Sequence, residues 1–276
     1  MVALRFMTIV SHWKKHAINR RAATLRRISL SLPGGRLRMQ KLAKACAALL
    51  VFAAGAVVAA DDGYRNSPLT LEGIGKSYMG REIAYIMGHE GAEWLERPER
   101  DREEGTAKVV PLLKLKPTDV VADIGAGTGY FSFRLSHEVP EGKVYAVDVQ
   151  PEMLDKIRAR VKSSKVRNIE VVHGSIASPR LPSNTIDLML VVDAYHEFAL
   201  PREMAAAMAW SLKPGGRLAL VEYRGEDPKV PIKTLHKMTV EQARKEMAVA
   251  GLRFVSVDSE SLPWQHLMIF EKPRPE

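Results

Sequence analysis

No aspartate or glutamate occurs in the first sixty residues, which carry eleven Lys or Arg. The remainder holds thirty basic against thirty-two acidic side chains, so the formal +9 belongs to the leader and the body is close to neutral. A body that grips nucleic acid needs positive charge gathered on its own surface, so no nucleic-acid partner is expected. Cysteine is nearly missing too. Cys46 is the only one, and it lies in the apolar run 45–60. If cleavage after Ala60 removes that run, disulfides, thiolate nucleophiles and cysteine metal sites are all excluded. The run is about sixteen residues, short of the roughly twenty of a membrane span. His89-Glu90 and His196-Glu197 each lack a second His four residues after the first, so neither forms the paired-ligand helix of zinc proteases, and no metal is expected.

The leader divides in two. Residues 39–60 join a short basic stretch to the apolar run and end with small residues at Val58 and Ala60, the pattern of a secretory signal peptide. That predicts an exported protein, periplasmic or extracellular. An uncleaved leader would instead be a membrane anchor, the one membrane contact expected. Residues 1–38 fit no export scheme and read as an extension from a misassigned start. An organellar transit peptide is the alternative, since such peptides also lack acids.

Behind the leader, residues 61–72 read as a polar linker, and 74–105 suggest two short helical pieces split by Gly88 to Gly91, so that 61–106 forms a linker and helical cap. Tyr85, Trp94 and Leu95 are either packing residues of this cap or a flap over a site. The charge run 96–104 reads as a solvated helix face. The domain at 107–276 alternates strand and helix. Buried strands are expected at 120–124, 143–147, 169–172, 186–192 and 217–223, with helices from Tyr130, Pro151 and Pro201. Thr239 and Gln242 form a capping box for a helix ending at Gly251. The last two strands, 253–257 and 266–271, are joined by only eight residues and must be antiparallel, because a parallel crossover needs a dozen or more. The fold class is therefore α/β: a doubly wound, mostly parallel, seven-stranded sheet with helices on both faces and a C-terminal antiparallel hairpin.

The chemistry gathers at 120–131, Val-Val-Ala-Asp-Ile-Gly-Ala-Gly-Thr-Gly-Tyr-Phe. Gly125, Gly127 and Gly129 allow a sharp turn and close approach to a ligand, which exposes backbone N–H groups at a helix start. Asp123, just upstream, repels a pyrophosphate but suits a ligand carrying an ammonium group beside its own carboxylate. Asp148 ends the second strand, where a carboxylate accepts both hydroxyls of a ribose. After the fourth strand, Asp193-Ala194-Tyr195-His196-Glu197-Phe198 lies at the carboxyl edge of the sheet, where ligands of parallel sheets bind. His196 is the first candidate for general base or substrate hydrogen bond; a packing or helix-capping histidine is the other reading. Glu222, Tyr223 and His236 are candidates to line the same mouth.

The glycine turn, its upstream Asp123, Asp148 and the terminal hairpin together resemble the class I S-adenosylmethionine-dependent methyltransferases. The resemblance covers about residues 109–270. It implies a Rossmann-like methyltransferase fold with S-adenosyl-L-methionine as cofactor. Asp123 with Gly125, Ala126, Gly127, Thr128 and Gly129 would face the methionine portion, Asp148 the ribose and Val149 the adenine; Asp193 would adjoin the cofactor. Gly174, Ser175 and Ile176 fall where many relatives carry an acid for the adenine amino group, a pattern from which Ser175 departs. The Tyr-His-Glu-Phe segment, with sequences like those at Gly80 and Trp94, resembles an exported bacterial subgroup. Tyr195, His196 and Glu222 are the catalytic candidates, and the acceptor is expected to be a small or lipid-like molecule. Two other functions remain open: a non-catalytic protein that binds this cofactor or its demethylated product, and a nicotinamide-dependent oxidoreductase.

Overall fold

A computed structural model describes residues 62–275. The expected signal peptide at 39–60, the extension at 1–38 and Cys46 lie outside the described residues.

The chain first forms a small antiparallel sheet, β1 (Tyr64–Asn66), β2 (Gly73–Tyr78) and β3 (Arg81–Ala84). This corrects the first helical piece expected after Ile74, and β1 corrects part of the linker. Met79 and Gly80 both take positive φ (50° and 95°) between paired Tyr78 and Arg81. Two such residues give a tight hairpin whose twist matches its strands, and Gly73 and Gly75 further disfavour a helix. Short helical turns follow as expected: His89–Gly91, α1 (Ala92–Leu95) and α2 (Arg100–Glu104), leading to α3 (Thr106–Leu112). The charge run is not a solvated face. Arg100 and Glu104 are buried, and Glu104 pairs with both Arg97 and Arg100 while accepting from the Tyr223 hydroxyl. Tyr223 is thereby committed to packing rather than to a mouth.

The main domain runs β4 (Val120–Ile124), α4 (Tyr130–Glu138), β5 (Lys143–Asp148), α5 (Pro151–Ser163), β6 (Ile169–His173), β7 (Ile186–Val192), α6 (Pro201–Ser211), β8 (Leu212–Arg224), β9 (Lys237–Met238), α7 (Val240–Val249), β10 (Arg253–Asp258) and β11 (Gln265–Glu271). Sheet order is β10-β11-β8-β7-β4-β5-β6, with only β11 reversed against its neighbours. The two-residue β9 beside β8 is an eighth strand beyond the seven expected. Residues 213–216 bulge out of the β7–β8 ladder, which pairs Leu212 with Ile186 and resumes at Arg217 with Leu188. Two apolar layers cover the faces. Met204, Met208 and Met247 pack on one side, and Val109, Leu113, Phe131 and Leu135 on the other. Leu188 and Leu190 in the central strand have no exposed surface; each adds roughly 1.5–3 kcal/mol through burial. Thr239 caps α7 by accepting from the Gln242 N–H, but the Gln242 side chain donates to Glu246 and Met79, so the box is half made. Among the described residues no helix is long and apolar enough to cross a membrane.

Candidate active site

Strand β4 delivers Asp123 to a turn in which Gly125, Gly127 and Gly129 all have positive φ (76°, 55° and 83°). L-residues pay about 1–2 kcal/mol there, and space is short as well: a Cβ at Gly125 would lie 2.9 Å from the Ala194 Cβ, and one at Gly127 2.8 Å from the Leu95 Cδ1. Ala126 and Thr128 are buried in this turn. The Thr128 hydroxyl donates to Glu96 Oε1 at 2.5 Å. The segment around Leu95 and Glu96 thus lies on the glycine turn, the flap position rather than a remote cap, while Trp94 stacks under Arg97.

Asp148 faces the same turn. Its Oδ2 accepts from the Gly127 N–H at 2.8 Å and its Oδ1 from the Gln150 N–H at 2.9 Å, which leaves a lone pair on each oxygen for a ligand hydroxyl. Burial raises its pKa, opposed by those N–H groups. Asp123 is buried and accepts from the Ser132 hydroxyl at 2.6 Å. Burial pushes its pKa up to about 6, the Ser132 bond opposes this, and the charge of Asp148 adds to it, so the two carboxylates act on one region. Asp193 adds a third acid. Its backbone is left-handed (φ 48°), and its buried Oδ1 has no hydrogen-bond partner. Strained backbone and an orphaned buried oxygen concentrate at ligand sites. Burial, then Glu104 and Glu222, raises the Asp193 pKa, with Arg100 opposing.

Next to Asp148, the Val149 carbonyl is met by the His173 ring at 3.2 Å and the Gly174 N–H donates to the Asp148 carbonyl. Ser175 turns its hydroxyl into its own loop, accepting from the Ala177 and Ser178 N–H groups, and Ile176 is 55% exposed. That loop shapes an edge and offers backbone rather than an acid.

The Tyr195–Glu197 turn after β7 divides the catalytic candidates. Tyr195 is displaced from that role: its fully buried hydroxyl donates to Glu246 Oε2 at 2.8 Å and packs inward. Glu222 is also fully buried, accepting from the Tyr195 N–H at 2.8 Å and facing His196 Nδ1 at 2.6 Å. His196 Nε2 in turn faces His236 Nδ1 at 2.9 Å. Burial holds Glu222 up to about 8 and, with Arg81, His196 down to about 3, so the imidazole stays neutral. Sequence spacing missed Glu197, whose Oε1 lies 3.7 Å from His196 Nε2 and 3.6 Å from His236 Nδ1. It also missed Arg81, which binds Glu246 through two nitrogens at 2.7 and 2.9 Å and the His196 carbonyl at 3.2 Å. Gly-Arg-Glu-Ile-Ala was the available signal for Arg81; nothing local ties His236 to His196.

The raised Asp123 pKa has a consequence for stability. A folded-state pKa above the unfolded value means the folded chain holds the proton more tightly. Stability from this group is then full below pH 4 and lost as pH rises through about 6. Asp123→Asn should therefore stabilise the ligand-free protein at pH 7.5 by up to about 3 kcal/mol and make no difference near pH 4. Cofactor affinity should fall roughly 10–100-fold with the lost charged hydrogen bond. Thermal melts at both pH values with calorimetric titration check this; a variant less stable than wild type at pH 7.5 contradicts it.

Residues 121–216 match the family model described as a methyltransferase domain. Over 114 residues the chain is 36% identical to an uncharacterized methyltransferase-like protein of Schizosaccharomyces pombe, covering 41% of each chain. Over 125 residues it is 27% identical to a demethylmenaquinone methyltransferase of Listeria welshimeri, covering 45% of this chain and 52% of that one. The match thus spans about half or less of these relatives. A crystal structure of an S-adenosylmethionine-dependent methyltransferase from Aquifex aeolicus superposes with a TM-score of 0.63 at 24% identity, over 68% of this chain and 100% of that chain.

Proposed function

We propose that this chain, whose residues 121–216 match a methyltransferase domain, is a class I S-adenosylmethionine-dependent methyltransferase that transfers a methyl group from this cofactor to a small-molecule or lipid-like acceptor. One observation carries the reading: the glycine turn is bracketed by Asp123, Asp148 and the unpartnered Asp193 oxygen, a set suited to an ammonium at one end and ribose hydroxyls at the other. The cofactor supplies a methyl group already activated on a sulfonium sulfur.

The chain's own task is to hold and align. Asp123 and Asp193 would receive the ammonium, the Gly125–Gly129 backbone would lie along the methionine portion, and Asp148 would take the ribose. Where the acceptor must lose a proton on methylation, a group on the chain is needed to take it. We propose His236, paired with His196 at 2.9 Å, as the group that takes that proton. When Glu222 is ionised, its carboxylate holds the Nδ1–H form of His196, whose Nε2 then accepts from His236 Nδ1. Glu222 and His196 are positioning residues in this scheme. The lipid-like acceptor class draws support from the Listeria relative, whose name gives demethylmenaquinone.

The test is transfer of label from methyl-labelled cofactor to a panel of quinols, phenols and hydroxylated lipids. Labelled product on at least one member is expected. Tight binding of the demethylated cofactor with no transfer to any member would favour the non-catalytic alternative.

A further inference from the structure

Two turns that are distant in sequence meet beside the cofactor region: Tyr195–Glu197 and Thr234–His236. We propose that His196, Glu197 and His236 bind one divalent transition-metal ion, of the zinc, cobalt or ferrous kind. The three facing atoms are His196 Nε2, His236 Nδ1 and Glu197 Oε1, separated by 2.9, 3.7 and 3.6 Å. Ligands about 2.0–2.1 Å from a tetrahedral ion sit roughly 3.3–3.4 Å from one another. The observed separations bracket that spacing, and shifts of about half an ångström or less shared among the three side chains bring each to it.

The surroundings match a metal site more closely than a bare histidine pair. Glu222 lies 2.6 Å from the far nitrogen of His196, the carboxylate–histidine arrangement that orients a metal-binding imidazole. Glu197 is fixed by its other oxygen, which accepts from the Met87 N–H at 3.0 Å, leaving Oε1 turned toward the two rings. Arg81 pins the turn through the His196 carbonyl. The rings stand edge to face, 73° apart, so that their nitrogens converge without stacking. Two imidazoles and one carboxylate suit borderline ions, and three protein ligands leave a position open for a further oxygen. Binding the ion would displace the proton shared by His236 Nδ1 and His196 Nε2 to solvent, and an acceptor hydroxyl in the open position would release its own proton to solvent more readily, in place of transfer to His236. This role rests on the methyltransferase reading, whereas binding of the ion does not.

The test uses the untagged full chain stripped with chelator and titrated with zinc chloride by calorimetry, then with cobalt chloride by visible absorption. One equivalent per chain is expected, with a cobalt d–d band. Glu222→Gln should weaken zinc binding about 10–100-fold, and His236→Ala and Glu197→Gln by more. Should His236→Ala not fold by circular dichroism, Glu197→Gln, which removes a charge and little volume, decides alone. Absence of zinc uptake, or uptake unchanged in the folded variants and so an adventitious ion only, overturns the proposal. Binding of S-adenosylhomocysteine by the same samples is measured in parallel. Its loss in the wild type would sink the methyltransferase reading and leave the metal result standing.

Discussion

Replacing Arg81 by alanine is expected to destabilise the protein by about 3–5 kcal/mol, because it strands a buried carboxylate. Glu246 has 1% exposure and keeps only the Tyr195 hydroxyl and the Gln242 amide once the two guanidinium bonds are gone. The same guanidinium ties the small N-terminal sheet to α7 and to the His196 carbonyl, so three elements lose one anchor. For a domain of this size the melting temperature should fall roughly 6–20 °C. Desolvation makes the lone charge costly and the pair itself cheap to replace. Arg81→Met combined with Glu246→Leu should therefore recover most of the loss. A fall below about 1 kcal/mol for the alanine variant, outside the range for breaking a buried pair, would mean that water reaches Glu246.

The second large effect concerns turnover. His196→Ala should lower kcat by up to roughly 10²–10⁴-fold, the range a proton-transfer group is worth, because His236 loses the partner that orients it, with affinity for S-adenosylhomocysteine nearly unchanged because no proposed cofactor-binding residue is touched. Glu222→Gln is the sharper variant. Its side-chain oxygen can still accept from the Tyr195 N–H, but its amide presents a donor or a neutral oxygen to His196 Nδ1 and cannot supply the ionised partner. It should keep its fold and, above about pH 8 where Glu222 is ionised, lose kcat in the same direction. Single-turnover rates at saturating cofactor, read beside calorimetric affinities, separate the two quantities. Equal loss in both would show that these residues merely pack.

The main sheet was legible because its information is local. Continuous apolar runs such as 186–192 mark strands buried on both faces, Pro151 and Pro201 start helices, and the short join before β11 forces its reversal. Asp123, the three glycines and Asp148 were legible for the same reason: each follows directly from its place at a strand end. What sequence reading missed is settled by partners far along the chain. The Gly73–Ala84 region reads as helical until Met79-Gly80 is recognised as a two-residue hairpin turn. Arg100 and Glu104 read as solvated until Arg97 and Tyr223 are seen to enclose them. Tyr195 reads as catalytic from its neighbours and is removed by Glu246, 51 residues away. His196 and Glu197 fail the spacing rule for a helical metal motif, yet their third partner arrives from 40 residues on, across the sheet edge.

The most direct measurement is calorimetric titration of the wild-type chain and its Asp148→Ala variant with S-adenosylhomocysteine, with NAD as a control. One equivalent bound by the wild type, at least tenfold weaker binding by the variant and no heat from NAD are the results expected. Failure of the wild type to bind at millimolar ligand, an unchanged affinity in the variant, or a preference for NAD would contradict the assignment of the glycine turn and its carboxylates to this cofactor.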